Sequence, residues 1–347
     1  MQNPKVTVVT ITYNLIKSNR EHSFRQCIAS VINQSYKNIE HLIIDGASND
    51  GTLKLLHEYK ELGHCVIYSE KDEGIYDAMN KGISYASGDY IIFLNSDDYF
   101  CNMHAIEKLV NSLIYSDFDF SCGSVITDMG NTLVPFFPVL NLFFQTMPFS
   151  HQSLMCKTKV LKELHGFNKE YKLGADLDLI IRLILSGYKP TVVQDYIAYY
   201  RCDGLSGQNY DHVIQDYTKI FINNYSHFYK LTKEEALKLA KFEKVSYKFG
   251  RELDKYLKVN NPYFYNQFID GNYIDERTII GQKAYCRCFI KIFGIPLFKI
   301  KRDIKNLRIY LLGIFQIFRI KTTIDKIKIY LGIIPILSIK RVLYSLY

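Results

Sequence analysis

Paired cysteines and long apolar runs are both absent from this 347-residue sequence. The eight cysteines are scattered, with only Cys286 and Cys288 close together, which argues against a disulfide framework and against a paired CxxC zinc site. No run approaches about 18 uninterrupted apolar residues, and Met1 is not followed by the basic, apolar and small-residue order of a signal peptide. We therefore expect a protein of the reducing cytoplasm that does not span a membrane.

The charge of the chain is concentrated at one end. Apolar residues make up 48% of the sequence and charged residues 22%, which is enough apolar material for a well-buried core and for more than one structural unit. The net charge is +8, and residues 281–347 alone contain 14 Lys and Arg against 2 Asp. The basic character therefore belongs to the tail.

The first hundred residues alternate between β-branched runs and segments with helical periodicity. Segment 5–12 is rich in Val, Ile and Thr, and the segment after it places Phe24, Ile28 and Val31 on one helical face. The pattern predicts strands at 5–12, 41–44, 65–68 and 89–94, and helices at 21–33, 53–61 and 75–86. Such alternation predicts an α/β fold with a mostly parallel sheet flanked by helices, and a ligand crevice beyond the carboxyl ends of the strands.

Acidic side chains follow the predicted strands at that crevice. Asp45 ends the second strand, Asp72 follows the third, and the fourth is followed by the adjacent carboxylates Asp97 and Asp98. Neighbouring like charges repel, so two acids at a strand end favour either separation by solvent or a bound cation. A divalent cation held by one or two carboxylates and by the phosphates of a nucleoside diphosphate fits this arrangement. The alternative is that the acids favour the amino end of the next helix.

Four ordered motifs stand in the first hundred residues, and two more follow later. They are VVTITYN at 8–14, IIDGASNDGT at 43–52, DEGIYDAMNKG at 72–82, GDYIIFLNSDD at 88–98, HQS at 151–153 and GADLDL at 174–179. Together they resemble glycosyltransferase family 2, which has the GT-A fold, and in particular the bacterial enzymes of O-antigen and capsule synthesis. The resemblance covers about 5–207.

The resemblance implies a donor site at the strand ends. Asp45 would accept a hydrogen bond from the base, although it could instead only cap the turn at Gly46. In the family's Asp-x-Asp motif the first acid approaches the ribose and the last binds a metal that bridges the diphosphate; here those positions are Asn95 and Asp97, with Asp98 in support. The implied cofactor is Mn²⁺ or Mg²⁺. The residues assigned to the nucleotide sugar are Thr12, Tyr13, Asn14, Asp45, Asp72, Asn95 and Ser96.

The resemblance also implies an inverting, single-displacement transfer. Asp176 matches the family's general base, which takes the proton of the acceptor hydroxyl. His151, Gln152 and Asp178 are the implied acceptor residues. Structural alternatives stay open for three of these residues: Asp176 as the N-cap of the helix that runs to Leu185, His151 as a structural histidine, and Asp178 as a structural acid.

The tail repeats a short unit three times, with Gly294, Gly313 and Gly332 spaced 19 residues apart. Alternating Lys and Ile at 326–330 favours strands that turn at the glycines, with one cationic and one apolar face, and amphipathic helices are the alternative. We expect the tail to attach the protein to the inner membrane face, near a polyprenyl-diphosphate-linked acceptor. An oligomerisation or shielding module is the alternative, whereas nucleic-acid binding is disfavoured because no recognition motif is present.

The predicted organisation is a glycosyltransferase domain at 1–210, a helical extension at 211–280 and a basic amphipathic tail at 281–347. The expected function is transfer of a sugar from a UDP-sugar to a lipid-linked saccharide in bacterial surface polysaccharide synthesis. A nucleotidyltransferase would need a phosphate loop rich in Gly and basic residues, and none stands between Asn14 and Glu21. Non-catalytic carbohydrate binding or scaffolding stays open. The sugar, acceptor and linkage depend on segment 135–150, which has no clear period.

Overall fold

The computed structural model describes residues 3–130, 132–202, 209–243 and 246–269, together with the backbone of six strands between 286 and 340. The predicted β-α alternation of the first hundred residues is confirmed, with boundaries that differ by at most two residues. In chain order the elements are β1 (Val6–Thr12), α1 (Glu21–Ile32), β2 (Ile39–Asp45), α2 (Thr52–Glu61), β3 (Val66–Ser69), α3 (Ile75–Tyr85), β4 (Tyr90–Phe93), β5 (Tyr99–Phe100) and α4 (Ala105–Ile114).

The second half of the fold adds a hairpin, two further strands and a series of helices. Segment 135–150, whose fold the sequence pattern did not predict, contains a short 3-10 turn at Leu140–Leu142. A second 3-10 turn, His151–Ser153, follows it directly. The elements are β6 (Phe120–Asp128), β7 (Leu133–Phe136), β8 (Met155–Lys157), α5 (Thr158–Glu163), α6 (Ala175–Leu185), β9 (Pro190–Arg201), α7 (Tyr210–Tyr225), α8 (Lys233–Ala240), α9 (Tyr247–Asn260) and α10 (Pro262–Phe264), followed by a π-helical turn at Tyr265–Ile269.

The main sheet has the strand order β3-β2-β1-β4-β8-β6-β9-β5, with β7 paired to β6. Strands β3, β2, β1 and β4 are parallel, as predicted. The other half is mixed, because β8 runs antiparallel to both β4 and β6 while β6 and β9 are parallel. Sequence periodicity identifies a strand but not its partner, so this mixture was not predicted.

Parallel pairing brings the carboxyl ends of the first strands to one edge of the sheet. Thr12 at the end of β1 lies opposite Asp45 at the end of β2, and Asp45 lies opposite Ser69 at the end of β3. The polar residues that follow these strands therefore start from neighbouring positions. This edge is where the sequence predicts the ligand crevice.

Helices cover both faces of the sheet. On one face, Leu179 and Ile180 of α6 belong to the same buried cluster as Ile220 and Phe221 of α7. The other face is covered by α1 and α4. Full burial of one such apolar side chain stabilises the fold by about 1.5–3 kcal/mol. The helices after residue 210 thus share a core with the sheet, and the domain boundary at 210 stays a prediction.

The described tail strands form a separate antiparallel sheet in the order β10 to β15. This agrees with the strand interpretation of the repeats and not with the helical alternative; the predicted turns at Gly294, Gly313 and Gly332 lie outside the described residues. In the described parts of the chain, no helix has the length and apolar character needed to cross a membrane. The strands are β10 (Cys286–Ile292), β11 (Ile295–Arg302), β12 (Asn306–Leu311), β13 (Phe315–Thr322), β14 (Lys326–Leu331) and β15 (Ile334–Lys340).

Candidate functional site

Asp45 ties together the carboxyl ends of three neighbouring strands. Its buried carboxylate accepts hydrogen bonds from the Thr12 hydroxyl of β1 (3.1 Å) and from the Ser69 hydroxyl of β3 (2.7 Å). Ser48 adds its backbone N–H (2.9 Å) and its hydroxyl (2.5 Å). Such donors compensate for the desolvation of a buried charge. Both oxygens of Asp45 are engaged in this way, and its hydrogen bond with a nucleotide base stays a prediction.

The loop after β1 carries further predicted nucleotide residues. Asn14 has a φ of 48°; its backbone N–H donates to the Ser48 hydroxyl (2.8 Å), and its side-chain oxygen accepts from the Asn49 N–H (3.0 Å). Tyr13 is 63% exposed. The loop after β2 therefore holds Asn14 in place and leaves the Tyr13 ring accessible.

Gly46 allows Asp72 to approach the same loop. A Cβ atom at residue 46 would lie 2.5 Å from Oδ2 of Asp72 and 3.2 Å from Cδ2 of Tyr13, so any side chain there would force the Asp72 carboxylate to move. The backbone N–H of Gly74 donates to Oδ1 of Asp72 (3.0 Å) and holds the carboxylate there. The structure thus brings the predicted residues that follow the first three strands to one edge of the sheet.

The turn after β4 gives its two adjacent carboxylates different surroundings. The backbone N–H of Asp98 donates to the carbonyl of Asn95 (3.0 Å) and closes the turn, with Ser96 partly exposed inside it. Asp97 has a side chain that is 15% exposed and forms an ion pair with Arg20. Asp98, in contrast, is only 1% exposed. The repulsion between neighbouring acids is reduced because each has its own partners.

Asp98 connects the turn to the opposite side of the site. Its Oδ2 accepts from the side-chain amide of Gln152 (2.9 Å), and its Oδ1 accepts from the backbone N–H of Arg201 at the end of β9 (3.0 Å). Burial raises the pKa of the Asp98 carboxyl to about 6, against the opposing effect of these donors. Asp98 is therefore a buried support of the turn, and Asp97 is the more exposed acid of the pair.

The Asn95 side chain also acts on Asp98. It lowers the pKa of the Asp98 carboxyl, against the effect of burial. An Asp at position 95 would instead place a second negative charge beside a buried acid, which is unfavourable. The proximity of the buried Asp98 thus gives a physical reason for Asn95 at the first position of the Asp-x-Asp pattern, which the sequence alone did not reveal.

A histidine and a carboxylate form a second centre at the start of α6. Nδ1 of His151 lies 3.3 Å from Oδ2 of Asp176, and the Tyr76 hydroxyl donates to Oδ1 of Asp176 (3.5 Å). Nε2 of His151 is buried and has no hydrogen-bond partner among the described residues. Asp176 stands in the first turn of α6, whose N-cap is Gly174, so the N-cap alternative for Asp176 is not borne out. The helix dipole favours a carboxylate in this turn.

The dipeptide His151-Gln152 links the two centres. Gln152 is buried and donates to Asp98, whereas His151 contacts Asp176. Both residues belong to the 3-10 turn His151–Ser153, so one short segment joins the turn after β4 to the start of α6. Direct contact of His151 or Gln152 with an acceptor stays a prediction.

Asp178 lies apart from these contacts. It is buried, its Oδ2 pairs with Arg182 (2.7 Å), and its Oδ1 accepts from Asn224 (2.8 Å), so it links α6 to α7. These contacts correspond to the structural alternative for Asp178. Acceptor binding by this residue stays a prediction.

Comparison with known proteins identifies the family. The family description "Glycosyl transferase family 2" matches residues 7–167, which contain the strand ends and the turn after β4. The uncharacterized glycosyltransferase Rv1514c of Mycobacterium tuberculosis H37Rv is 31% identical over 192 residues, or 52% of this chain and 70% of that protein. The chain belongs to glycosyltransferase family 2. GlyA of Streptococcus pneumoniae is 31% identical over 121 residues, and the chain spans only 16% of its length.

Solved glycosyltransferase structures share the fold. TarS residues 1–349 of S. aureus, in complex with UDP-GlcNAc, has a TM-score of 0.52 and 16% identity, covering 79% of this chain and 78% of that one. The mannosyltransferase PcManGT of Pyrobaculum calidifontis, in complex with GDP-Man and Mn²⁺, has a TM-score of 0.52 and 18% identity, covering 80% and 83%. The family 2 chain therefore has the predicted GT-A fold.

The structure adds three residues to those that the sequence predicted. Arg20 pairs with Asp97, Tyr76 contacts Asp176, and Tyr217 lies near enough to Asp176 to sense its charge. Burial raises the pKa of both tyrosines well above the ordinary value, and the charge of Asp176 acts in the same direction. Tyr76 lies within a family 2 motif, which could have indicated it. Arg20 and Tyr217 lie outside the quoted motifs, and only the fold brings them here.

The residues around Asp97 fit a metal that is shared with a ligand. In the described part of this family 2 chain, no group of three or more His, Cys, Asp or Glu side chains is placed to hold a metal ion. Asp97 supplies one partly exposed carboxylate. Its ion pair with the guanidinium of Arg20 indicates that this position favours a positive charge. Because Mg²⁺ is commonly held by one or two carboxylates plus substrate phosphates, this donor set fits a metal bound jointly by Asp97 and a diphosphate.

The buried Asp98 predicts a characteristic pH dependence of stability. Its pKa of about 6 lies above the ordinary value of 3.8, so folding favours the protonated form. This contribution is fully present below the ordinary pKa and is lost as the pH rises through about 6. Between pH 4 and pH 6, the free energy of unfolding of the wild type should therefore fall by about 2 kcal/mol relative to that of Asp98→Asn, as measured by urea denaturation. Parallel pH profiles of the two proteins would contradict the assignment.

Proposed function

We propose that this chain is an inverting glycosyltransferase that moves a sugar from a UDP-sugar to a lipid-linked saccharide in the synthesis of a bacterial surface polysaccharide, O-antigen or capsule. The observation that carries the proposal is the link between two acidic centres, Asp97 beside Asp98 and Asp176 beside His151, through Gln152. Sugar transfer needs one centre for the leaving diphosphate and another for the acceptor hydroxyl.

The edge of the sheet is the donor site in this proposal. The exposed ring of Tyr13 is available for stacking on a base, an interaction worth about 1–3 kcal/mol. The similar fold of TarS is known in complex with UDP-GlcNAc, which supports a UDP-sugar as donor. The residues proposed to bind the nucleotide sugar are Thr12, Tyr13, Asn14, Asp45, Asp72, Asn95 and Ser96.

A divalent cation, Mn²⁺ or Mg²⁺, completes the proposed donor site. Asp97 would hold it together with the donor diphosphate, while Asp98 supports the turn from within. When bound, such a cation stabilises the negative charge that develops on the leaving diphosphate. The complex of PcManGT with GDP-Man and Mn²⁺ supports this cofactor.

Asp176 is the general base of the proposed reaction. The acceptor hydroxyl gives its proton to the Asp176 carboxylate while its oxygen attacks the anomeric carbon on the face opposite the leaving diphosphate. The bond to the diphosphate breaks as the new bond forms, so the configuration inverts and no covalent intermediate arises. His151 and Tyr76 each contact one oxygen of Asp176, which limits the orientations of the base before the acceptor arrives.

His151 is the proposed acceptor residue that has the most direct connection to the base. It contacts Asp176 through Nδ1, and its buried Nε2 has no hydrogen-bond partner in the described part of the chain. Gln152 and Asp178 are buried, so we propose that they act on the acceptor site indirectly. Gln152 would do so through its hydrogen bond to Asp98, and Asp178 through the contact that it forms between α6 and α7.

The basic tail attaches the protein to the inner face of the cell membrane in this proposal. Residues 281–347 contain 14 Lys and Arg against 2 Asp, and attraction to anionic lipid is worth ~1 kcal/mol per basic residue near the surface. An acceptor anchored on a polyprenyl diphosphate would meet the donor site at that surface. Association of the tails with one another is the competing outcome of the test below.

Asp176→Asn should abolish sugar transfer. Without the carboxylate, the acceptor hydroxyl keeps its proton, and the loss of a general base lowers the rate by about 10²–10⁴-fold. The measurement is transfer of isotope-labelled sugar from a panel of UDP-glucose, UDP-galactose and their N-acetyl forms to defined lipid-linked acceptors with Mn²⁺ or Mg²⁺. Asp97→Asn should lose transfer in the same assay.

The control for these variants is Asp117→Asn, because the Asp117 side chain is 86% exposed and forms an ion pair with Lys189 at the surface. It should keep wild-type transfer. Circular dichroism and thermal unfolding verify that all variants fold. Full transfer by both Asp176→Asn and Asp97→Asn would refute the assigned centres.

The full chain should float with anionic vesicles and not with neutral phosphatidylcholine vesicles. Opposite charges attract at the lipid surface, and salt screens that attraction, so flotation should fall as the ionic strength rises. Deletion of residues 281–347 should remove flotation. If the deletion leaves flotation unchanged, the tail does not attach the protein to the membrane. An oligomer that is insensitive to salt and is lost on deletion would instead favour association of the tails with one another.

A further inference from the structure

Arg20 reaches from the start of α1 to the turn after β4. Its backbone N–H donates to the Leu15 carbonyl (2.7 Å), and its own carbonyl accepts from the Phe24 N–H (3.0 Å) and the Ser23 hydroxyl (3.1 Å). Its guanidinium pairs with Asp97, which lies 77 residues further along the chain. The backbone of Arg20 is therefore fixed at the helix start, and a change of partner would require only rotation of its long side chain.

Arg20 and a divalent cation would compete for the same carboxylate. The Asp97 side chain is 15% exposed and that of Arg20 is 29% exposed, so solvent and ligands can reach the pair. A cation at Asp97 would stand next to the guanidinium, and like charges at such distances repel. A cation would therefore bind weakly here unless Arg20 left Asp97.

A displaced guanidinium needs another anion nearby. In the proposed donor complex Asp97 and the diphosphate would hold the cation together, so phosphate oxygens would be available to Arg20 as new partners. The planar guanidinium of Arg has five N–H donors and matches phosphate oxygens as well as it matches carboxylates.

We propose that Arg20 holds Asp97 in the ligand-free protein and exchanges this partner for the diphosphate of the nucleotide donor when the divalent cation binds. The inference rests on the proposed function, because it needs a diphosphate donor and a cation at Asp97. The exchange couples the two ligands: the cation alone must break the ion pair, whereas cation and nucleotide together give Arg20 a new partner. Each ligand thus raises the affinity for the other by the same factor.

The test measures Mn²⁺ binding to the full chain by electron paramagnetic resonance and UDP binding by calorimetry. Arg20→Gln removes the competitor, so it should bind Mn²⁺ alone about fivefold more tightly than the wild type. It also removes the new phosphate partner, so in the presence of Mn²⁺ it should bind UDP about tenfold more weakly. The mutual enhancement between Mn²⁺ and UDP should shrink accordingly.

Arg25→Gln is the matched control. Arg25 lies on the same helix and pairs with Glu21 and Glu58, so this variant removes an equal charge without changing a contact of Asp97. Both affinities should stay at the wild-type values. Arg20→Lys keeps the charge but not the planar donor set, and it should recover part of the UDP affinity.

Two results would overturn the exchange of partners: equal affinities of the wild type and Arg20→Gln for Mn²⁺ alone, or equal affinities of the two for UDP with Mn²⁺. Thermal unfolding of Arg20→Gln and Arg20→Lys verifies that the variants fold. Neither binding measurement depends on sugar transfer, whereas the Asp176→Asn assay does. Failure of the exchange is therefore distinguishable from failure of the proposed transferase.

Discussion

The hydrogen bonds that satisfy the buried carboxylate of Asp98 are the interactions on which the rest of the site depends. Gln152 and the backbone of Arg201 donate to it from two different parts of the fold. A carboxylate that is 1% exposed requires such donors, because its desolvation is costly. The same bonds fix the turn that carries Asp97 and the segment that carries His151. The relative position of the two acidic centres therefore follows from the need to satisfy one buried acid.

The balance of charge in the site depends on these contacts more than on the number of acids. Asp97 faces the cation of Arg20, whereas burial shifts Asp98 toward its protonated form. The Asn95 amide lowers the pKa of the Asp98 carboxyl, whereas another acid at position 95 would repel it. A single partly exposed carboxylate is then left for a ligand-shared metal, which is consistent with the number of carboxylates that such metals need when phosphates supply the other oxygens.

The parts of this fold that sequence could predict are those determined locally. Strands β1 to β4 and the helices between them follow from the period of their apolar residues, and the polar residues at the strand ends follow from the parallel pairing that such alternation implies. The partners of those residues could not be predicted in the same way. Arg20 meets Asp97 across 77 residues, and Tyr217 approaches Asp176 only because α7 packs against α6. The local sequence pattern likewise does not encode the antiparallel pairing of β8 with β4.

The central claim is that a donor centre at Asp97 and a base at Asp176 act together in a single displacement. The anomeric configuration of the product, measured by nuclear magnetic resonance during the first turnovers with a UDP-sugar and a lipid-linked acceptor, tests this claim most directly. Attack from the face opposite the diphosphate predicts a product whose anomeric configuration is inverted relative to the donor. A product that retains the configuration of the donor would contradict the account.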